Sequence, residues 1–343
     1  MDGDSRYCHL NRHSMDIRHF SDNSLVLIDA EEIDDSPGPF SMSFGFDLKP
    51  LIRSIERYGL INRPFLTIDN TGKRVPVIGF RRILALKSLQ WRKIPCVDLS
   101  DSGLSVLDLI LLNLHDNLTK REFNDVEKGM ILCRLVPHVT RNEILKHYMP
   151  LLNLRSHESS LELFLKIENL EIAIKHSIAD GTVSMKAIGK ILDWDNQSRK
   201  NVFTWFKNIK FNFNQQIQFT EYITDISIKE KKSIAHILDE KEMIEILEDN
   251  KLNNPQKAKR VLHHLRSRRL PLLTQSEENF QKNLSRLNLP KGVRIQHPPF
   301  FESPDYRLEI VFRNGKELKE KIDDLAKLGH FGMIEDPDEK DFS

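Results

Sequence analysis

Val75-Pro76-Val77-Ile78-Gly79-Phe80-Arg81-Arg82-Ile83-Leu84-Ala85 reads as a short strand, one glycine and the opening of a helix. Pro76 cannot donate a ladder hydrogen bond, which predicts an edge strand or a bulge at that position. A glycine at a strand-to-helix turn lets the backbone come close to a ligand. The first helical turn carries unpaired N–H groups and the positive end of the helix dipole. Arg81 and Arg82 are misplaced there, each by about 0.3–1 kcal/mol when exposed. Two arrangements resolve the conflict equally well. One is a bound phosphate, which helix N-termini and guanidinium forks both recognise. The other is pairing with carboxylates of the chain itself.

Working outward, Phe65-Leu66-Thr67-Ile68 and Val75–Ile78 flank Asp69-Asn70-Thr71-Gly72, which is turn chemistry and predicts a hairpin. Upstream, Asp47 is a good N-cap, Leu48, Leu51, Ile52 and Ile55 follow at helical spacing, and Gly59 supplies the stop. Leu25–Ile28 and Ile94–Val97 read as further strands, and the Ser-, Pro- and Gly-rich stretch 34–46 as a loop. Residues 25–100 thus form a small mixed α/β unit. Downstream lie Asp116-Asn117, then Lys120 and Arg121. A carboxylate beside an amide oxygen suits Mg²⁺, which needs only one or two protein ligands when phosphate supplies the rest. Taken alone, Asp-Asn is more often a turn or a cap. Asn124-Asp125-Val126-Glu127 resembles a capping box, with Phe123, Val126, Met130 and Cys133 on one face.

The order of these pieces resembles the N-terminal domain of ParB partition proteins. Ser54-Ile55-Glu56-Arg57-Tyr58-Gly59-Leu60-Ile61 and Pro64 correspond to that family's helix end and loop. Gly79-Phe80-Arg81-Arg82 stands where the family has Gly-Glu-Arg-Arg, and Ala85, Lys87 and Ile94-Pro95 follow in order. Asp116-Asn117-Leu118-Thr119-Lys120 corresponds to the family's Glu-Asn-Leu-Gln-Arg box, with Asn124 and Glu127 after it. The resemblance implies a domain that binds CTP and Mg²⁺ and closes a dimeric clamp on DNA. It implies phosphate contacts from Gly59, Gly79, Arg81 and Arg82 with help from Lys120, and metal contacts from Asp116 and Asn117. Phe80 replaces the family's glutamate, so binding is implied more strongly than hydrolysis, and a weak CTPase activity is left open. The loop Gly59–Pro64 is one residue longer than usual. Sulfiredoxin shares the fold, but its chemistry needs a cysteine where Phe80 stands.

From Val106 to about Asp249 the pattern is helical. Arg141 to Tyr148 and His157 to Asn169 resemble the two helices of the family's helix-turn-helix, and Gly181-Thr182-Val183-Ser184 its closing segment. The second helix carries Glu158, Glu162 and Glu168 but one cation, Lys166. Such a helix is poorly suited to base reading, and a scaffold without base readout fits as well. Phe203, Trp205, Phe206, Phe211, Phe213 and Phe219 could stack on bases, though a helical core is the simpler reading.

Between Pro255 and Pro271, Ala258, Val261, Leu262 and Leu265 form an apolar stripe. That stripe predicts Lys257, Lys259, Arg260, Arg266, Arg268 and Arg269 on the outward face, in a stretch, 250–276, with no acidic residue. This face is either a DNA contact or a solvated surface. A helix from Glu277 to Leu287, strands at Val293–Ile295 and Arg307–Phe312, the turn Asn314-Gly315 and a helix from Lys316 to Leu328 resemble the ParB dimerisation unit.

The expected fold class is multi-domain α+β. The parts are a tail (1–24), a ParB-like nucleotide-binding domain (25–122), a helical, helix-turn-helix-like domain (123–249), a basic helix and linker (250–276), an α/β dimerisation-like unit (277–330) and an acidic tail (331–343). A chain of 343 residues suits two or three domains. Its net charge of +1 confines any nucleic-acid surface to a local patch. No apolar run approaches a bilayer span or a signal peptide. Cys8, Cys96 and Cys133 form no CxxC pair, which fits a reducing, cytoplasmic setting. The resemblance adds nucleoid association, a homodimer through 277–330 and a partition ATPase as a further partner, in chromosome or plasmid partition. The other readings are a nucleotide hydrolase or phosphotransferase on the same fold, for which no P-loop, HExxH or GxSxG is present, and a regulatory adaptor without nucleotide.

Overall fold

The computed structural model describes residues 25–303 and 305–328. The expected tails 1–24 and 331–343, and residues 329–330 of the expected C-terminal unit, lie outside the described residues. The chain divides into two compact units, Met1–Thr182 and Val183–Ser343, so the division falls inside the stretch 123–249.

The first unit opens with β1 (Leu25–Asp29), α1 (Lys49–Tyr58), β2 (Phe65–Ile68), β3 (Arg74–Ile78), α2 (Phe80–Ser88) and β4 (Lys93–Asp98). The strands form one mixed sheet in the order β1-β4-β2-β3, with β2 parallel to β4 and the other pairs antiparallel. Pro76 sits on the edge strand, and the β2–β3 register shifts beside it, from Phe65↔Ile78 to Leu66↔Pro76. Both consequences of a missing N–H therefore occur together. The core joins Ile28, Leu66, Ile94 and Cys96 of the sheet to Ile55 of α1 and to Ile83, Ala85 and Leu86 of α2.

Two capping boxes start the next helices. Ser105 and Asp108 cap α3 (Val106–Leu118), and Asn124 and Glu127 cap α4 (Asp125–Leu135). One helical run follows, made of α5 (Arg141–Glu143), a π turn (Ile144–Tyr148) and α6 (Met149–Leu151); α7 (Glu158–Ile167) and α8 (Ile172–Ala179) complete the unit. The α4–α7 packing depends on Gly129, where a Cβ would lie 2.7 Å from the Phe164 carbonyl oxygen.

The second unit contains α9 (Met185–Ile191), α10 (Asn196–Ile209), α11 (Phe213–Glu230), α12 (Ile234–Leu238), α13 (Lys241–Glu248), α14 (Asn254–Arg269), α15 (Pro271–Arg286), β5 (Val293–Gln296), β6 (Arg307–Ile310) and α16 (Gly315–Lys327). Trp205, Phe206, Phe211 and Phe219 are buried against one another, with ring centroids 5.2–6.2 Å apart, so these aromatics form core. Phe213 is 52% exposed. The fold class is mixed, with small sheets among many helices, as expected.

The C-terminal part differs from expectation in two details. The helix expected from Glu277 begins at Pro271, whose fixed φ suits a first helical turn. The strand expected to run to Phe312 ends at Ile310, and Leu308 and Phe312 are exposed rather than half-buried. The ribbon has two strands, and the small core beside it takes Ile295 of β5 with Phe280 of α15 and Leu287 just after that helix. Among the described residues no helix is long and apolar enough to cross a membrane.

Candidate functional site

Gly79 caps α2 with φ 90° and ψ 25°, a left-handed conformation that a side chain would strain. Its carbonyl accepts from the Arg82 and Ile83 N–H groups at 2.8 and 3.1 Å. A Cβ at Gly79 would lie 3.0 Å from Arg82 Nε and 3.1 Å from Pro64 Cα, so the glycine makes room for the Arg82 guanidinium and the preceding loop. Arg82 Nη1 donates to the carbonyls of Asn62 (2.7 Å) and Arg63 (3.2 Å), tying down the loop that follows Gly59. Burial lowers the Arg82 pKa, and the Asp116 carboxylate works against that shift, which places Asp116 within electrostatic reach of the α2 N-terminus. Gly59 ends α1 with φ 74° and donates to the Ile55 carbonyl at 2.9 Å.

Arg81 takes a different path. Its Nη2 donates to Glu127 Oε1 at 3.0 Å, and its guanidinium lies 4.6 Å over the Phe46 ring. Phe46 in turn meets the ring of the buried Phe80 edge-on at 6.2 Å. Glu127 is 1% exposed and is the hub of the site. Beyond Arg81 it accepts from Arg121 Nη1 (2.5 Å), the Phe44 N–H (3.0 Å) and the Asn124 N–H (3.1 Å). Arg121 continues the network through Nε to Asn117 Oδ1 (3.0 Å) and Nη2 to the Met42 carbonyl (2.8 Å). Asn117 Nδ2 donates to the Asn113 carbonyl at 3.0 Å. Asp116 and Lys120 form an ion pair one turn apart on the helix end.

The structure therefore gathers Gly79, Arg81, Arg82, Asp116, Asn117 and Lys120 around the α2 N-terminus. It gives a part in the site to two residues that the sequence set beside these motifs without a ligand role, Glu127 and Arg121. Glu127 reads in the sequence as a helix cap, and it is one, but the same carboxylate also holds two arginines. Arg121 lies next to the predicted Lys120 and carries more of the network than Lys120 does. The signal available was the excess of arginines over acids in the two motifs. For magnesium the fit is partial. Asp116 offers a carboxylate, whereas the Asn117 amide oxygen is engaged by Arg121. Among the described residues no group of three or more His, Cys, Asp and Glu is placed to hold a metal alone.

The predicted DNA residues lie elsewhere. Lys166 is on α7, whose Glu158 and Glu162 both pair with Arg141, so acids that would repel phosphate are neutralised internally. Four of the cations expected on the outward face of α14 are ion-paired. Arg268 is bound by Glu230 and Glu240, Arg266 by Glu277 with two bonds, Arg269 by Asp225 and Arg260 by Asp249. Lys257 Nζ donates to the Leu247 carbonyl. Lys259 is exposed and forms no ion pair among the described residues. The 250–276 window lacks acids, but α11, α13, α15 and the adjoining turns supply them from outside it.

No family model matches the chain, and no curated protein does. Among solved structures it is similar to the C-terminally truncated chromosome-partitioning protein ParB from Caulobacter crescentus complexed with CTP-gamma-S. There the identity is 16% and the TM-score 0.25, covering 49% of this chain and 91% of that chain. It is also similar to that protein complexed to the centromeric parS site, at 12% identity and TM-score 0.31, covering 57% of this chain and 98% of that chain. At these values the likeness carries no argument about what this chain binds.

Proposed function

We propose that this chain is a ParB-like, DNA-associated protein whose α2–α3 site takes a nucleoside triphosphate, CTP by resemblance, with Mg²⁺. The observation that carries the reading is convergence. Gly79–Arg82 and Asp116–Arg121, separated by a strand and a helix, meet in one network at a helix N-terminus. Arg81, Arg82, Lys120 and Arg121 gather there, and the carboxylates that act on them among the described residues are Asp116 and Glu127. Surplus positive charge at a helix start is what phosphate oxygens neutralise. Asp116 would hold Mg²⁺ brought with the nucleotide, whose charge would offset that of the phosphates. Arg81 would share its guanidinium between Glu127 and phosphate, and Arg82 would hold the Gly59–Pro64 loop against the ligand. Phe80 offers no general base, so the reading is of binding rather than rapid hydrolysis. Exposed Leu308, Val311, Phe312 and Ile322 support a second copy of the chain as partner for the C-terminal unit.

One observation favours a second reading, an adaptor that keeps the fold without nucleotide. Arg81 is paired with the chain's own Glu127 and covered by Phe46. Calorimetric titration with CTP, ATP and GTP plus Mg²⁺, with and without duplex DNA, separates the two. Saturable heat with CTP that disappears in Arg82→Ala supports the nucleotide-binding reading. No heat with any nucleotide, alongside persistent duplex binding, supports the adaptor.

A further inference from the structure

Residues 196–220 contain no acidic residue, although 50 Asp and Glu in 343 residues would place about four in such a window. The run covers α10, the turn after it and the first half of α11. The core side of α10 is Val202, Trp205, Phe206 and Ile209, all buried. Its other side is a polar stripe at helical spacing: Gln197, Lys200, Asn201, Thr204, Lys207 and Asn208. Lys200 and Lys207 are exposed, as is Lys210 at the helix end, and none of the three forms an ion pair among the described residues. This is the reverse of α14, whose arginines are consumed by carboxylates of neighbouring helices. Arg199 is turned back onto the Trp194 carbonyl at 2.7 Å and does not join the stripe.

We infer that the solvent face of α10 is a duplex-DNA contact surface. The inference rests on the DNA-associated reading above and assigns it a surface. Lys200 and Lys207, about two turns apart, supply phosphate contacts, and the amide and hydroxyl side chains between them donate and accept without charge repulsion. The stripe from Gln197 to Asn208 is roughly 16 Å long at 1.5 Å per residue, enough to cross a major groove about 12 Å wide. A merely solvated helix face would carry acids among its cations, as the exposed side of α16 does with Glu320 and Asp323 beside Lys316 and Lys319.

The test uses the full chain and a fluorescent random-sequence duplex, with binding measured by anisotropy over a salt series. Each phosphate contact contributes about 0.9 to the slope of log affinity against log salt. Lys200→Ala/Lys207→Ala should lower that slope by about 1.8 and weaken binding at low salt. Lys241→Ala, on α13, whose exposed side chain pairs with Glu245, serves as the surface control, and thermal melts verify that the fold is kept. If the wild type binds and the double variant matches it in slope and affinity, the α10 assignment is overturned while the DNA reading stands. If the wild type binds no duplex at low salt, both are overturned.

Discussion

The Glu127 carboxylate accepts from the Arg81 guanidinium at 3.0 Å across 46 residues of sequence, and the same carboxylate closes the capping box of α4. One buried acid thus fixes both the start of a helix and the arginine at the start of another. Removing it would strip the cap and leave two guanidiniums without their anion. Glu127→Ala should cost about 3 kcal/mol, read as a shift in the urea midpoint of the first unit. Glu127→Gln, which retains the capping geometry, should cost less than the alanine variant. Equal stability of wild type and alanine variant would remove Glu127 from the centre of the site.

Arg82 is expected to act on a loop. Its Nη1 holds the Asn62 and Arg63 carbonyls, so Arg82→Ala should speed amide exchange at residues 60–63 while leaving the core strands protected. The overall loss should be about 1 kcal/mol, the net worth of such hydrogen bonds. Unchanged exchange would mean the loop is ordered by other contacts.

Two glycines should resist substitution for different reasons. Gly129→Ala would press a methyl group against the Phe164 carbonyl and should cost about 1–3 kcal/mol through α4–α7 packing. Gly79→Ala would be strained by its φ of 90° and by its contact with Pro64, at about 1–2 kcal/mol. Chemical denaturation of each variant checks both values.

The arginine clamps of α14 make the second unit acid-sensitive. Arg266 holds the Glu277 carboxyl below its ordinary pKa, and Arg268 does the same for Glu230. A carboxyl whose folded pKa is depressed stabilises fully above its unfolded value, near 4.3. That contribution is lost as pH falls through the folded pKa. The melting temperature should therefore fall as pH drops from about 5 to about 3. Glu277→Gln should show a shallower fall than wild type over that range, and an identical profile would assign the acid sensitivity elsewhere.

Burial pushes the Cys96 thiol up to about 12 and the Cys133 thiol up to about 11. Neither presents a thiolate near neutral pH. Iodoacetamide at pH 8, followed by peptide mass spectrometry, should label both slowly in the native protein and rapidly in urea. Fast native labelling of Cys133 would show that α4 opens readily.

The sequence by itself determined the local geometry of the first unit. Short β-like runs around an Asp-Asn-Thr-Gly turn specify the β2–β3 hairpin, and Pro76 calls for an edge or a bulge in β3. Gly79 separates strand from helix, and Asn124 with Glu127 begins α4. These signals are legible because they operate between residues a few positions apart. Only the tertiary structure decided what the charges do. Helical spacing marks the polar side of α14, yet it cannot tell that Asp225, Glu230, Glu240 and Glu277 come from other elements to meet that side. It equally hides that Lys200 and Lys207 of α10 form no ion pair among the described residues and that Glu127 reaches Arg81 and Arg121. Ion pairing depends on which side chains folding brings within a few ångströms, and partners tens of residues apart leave no periodic trace in the chain.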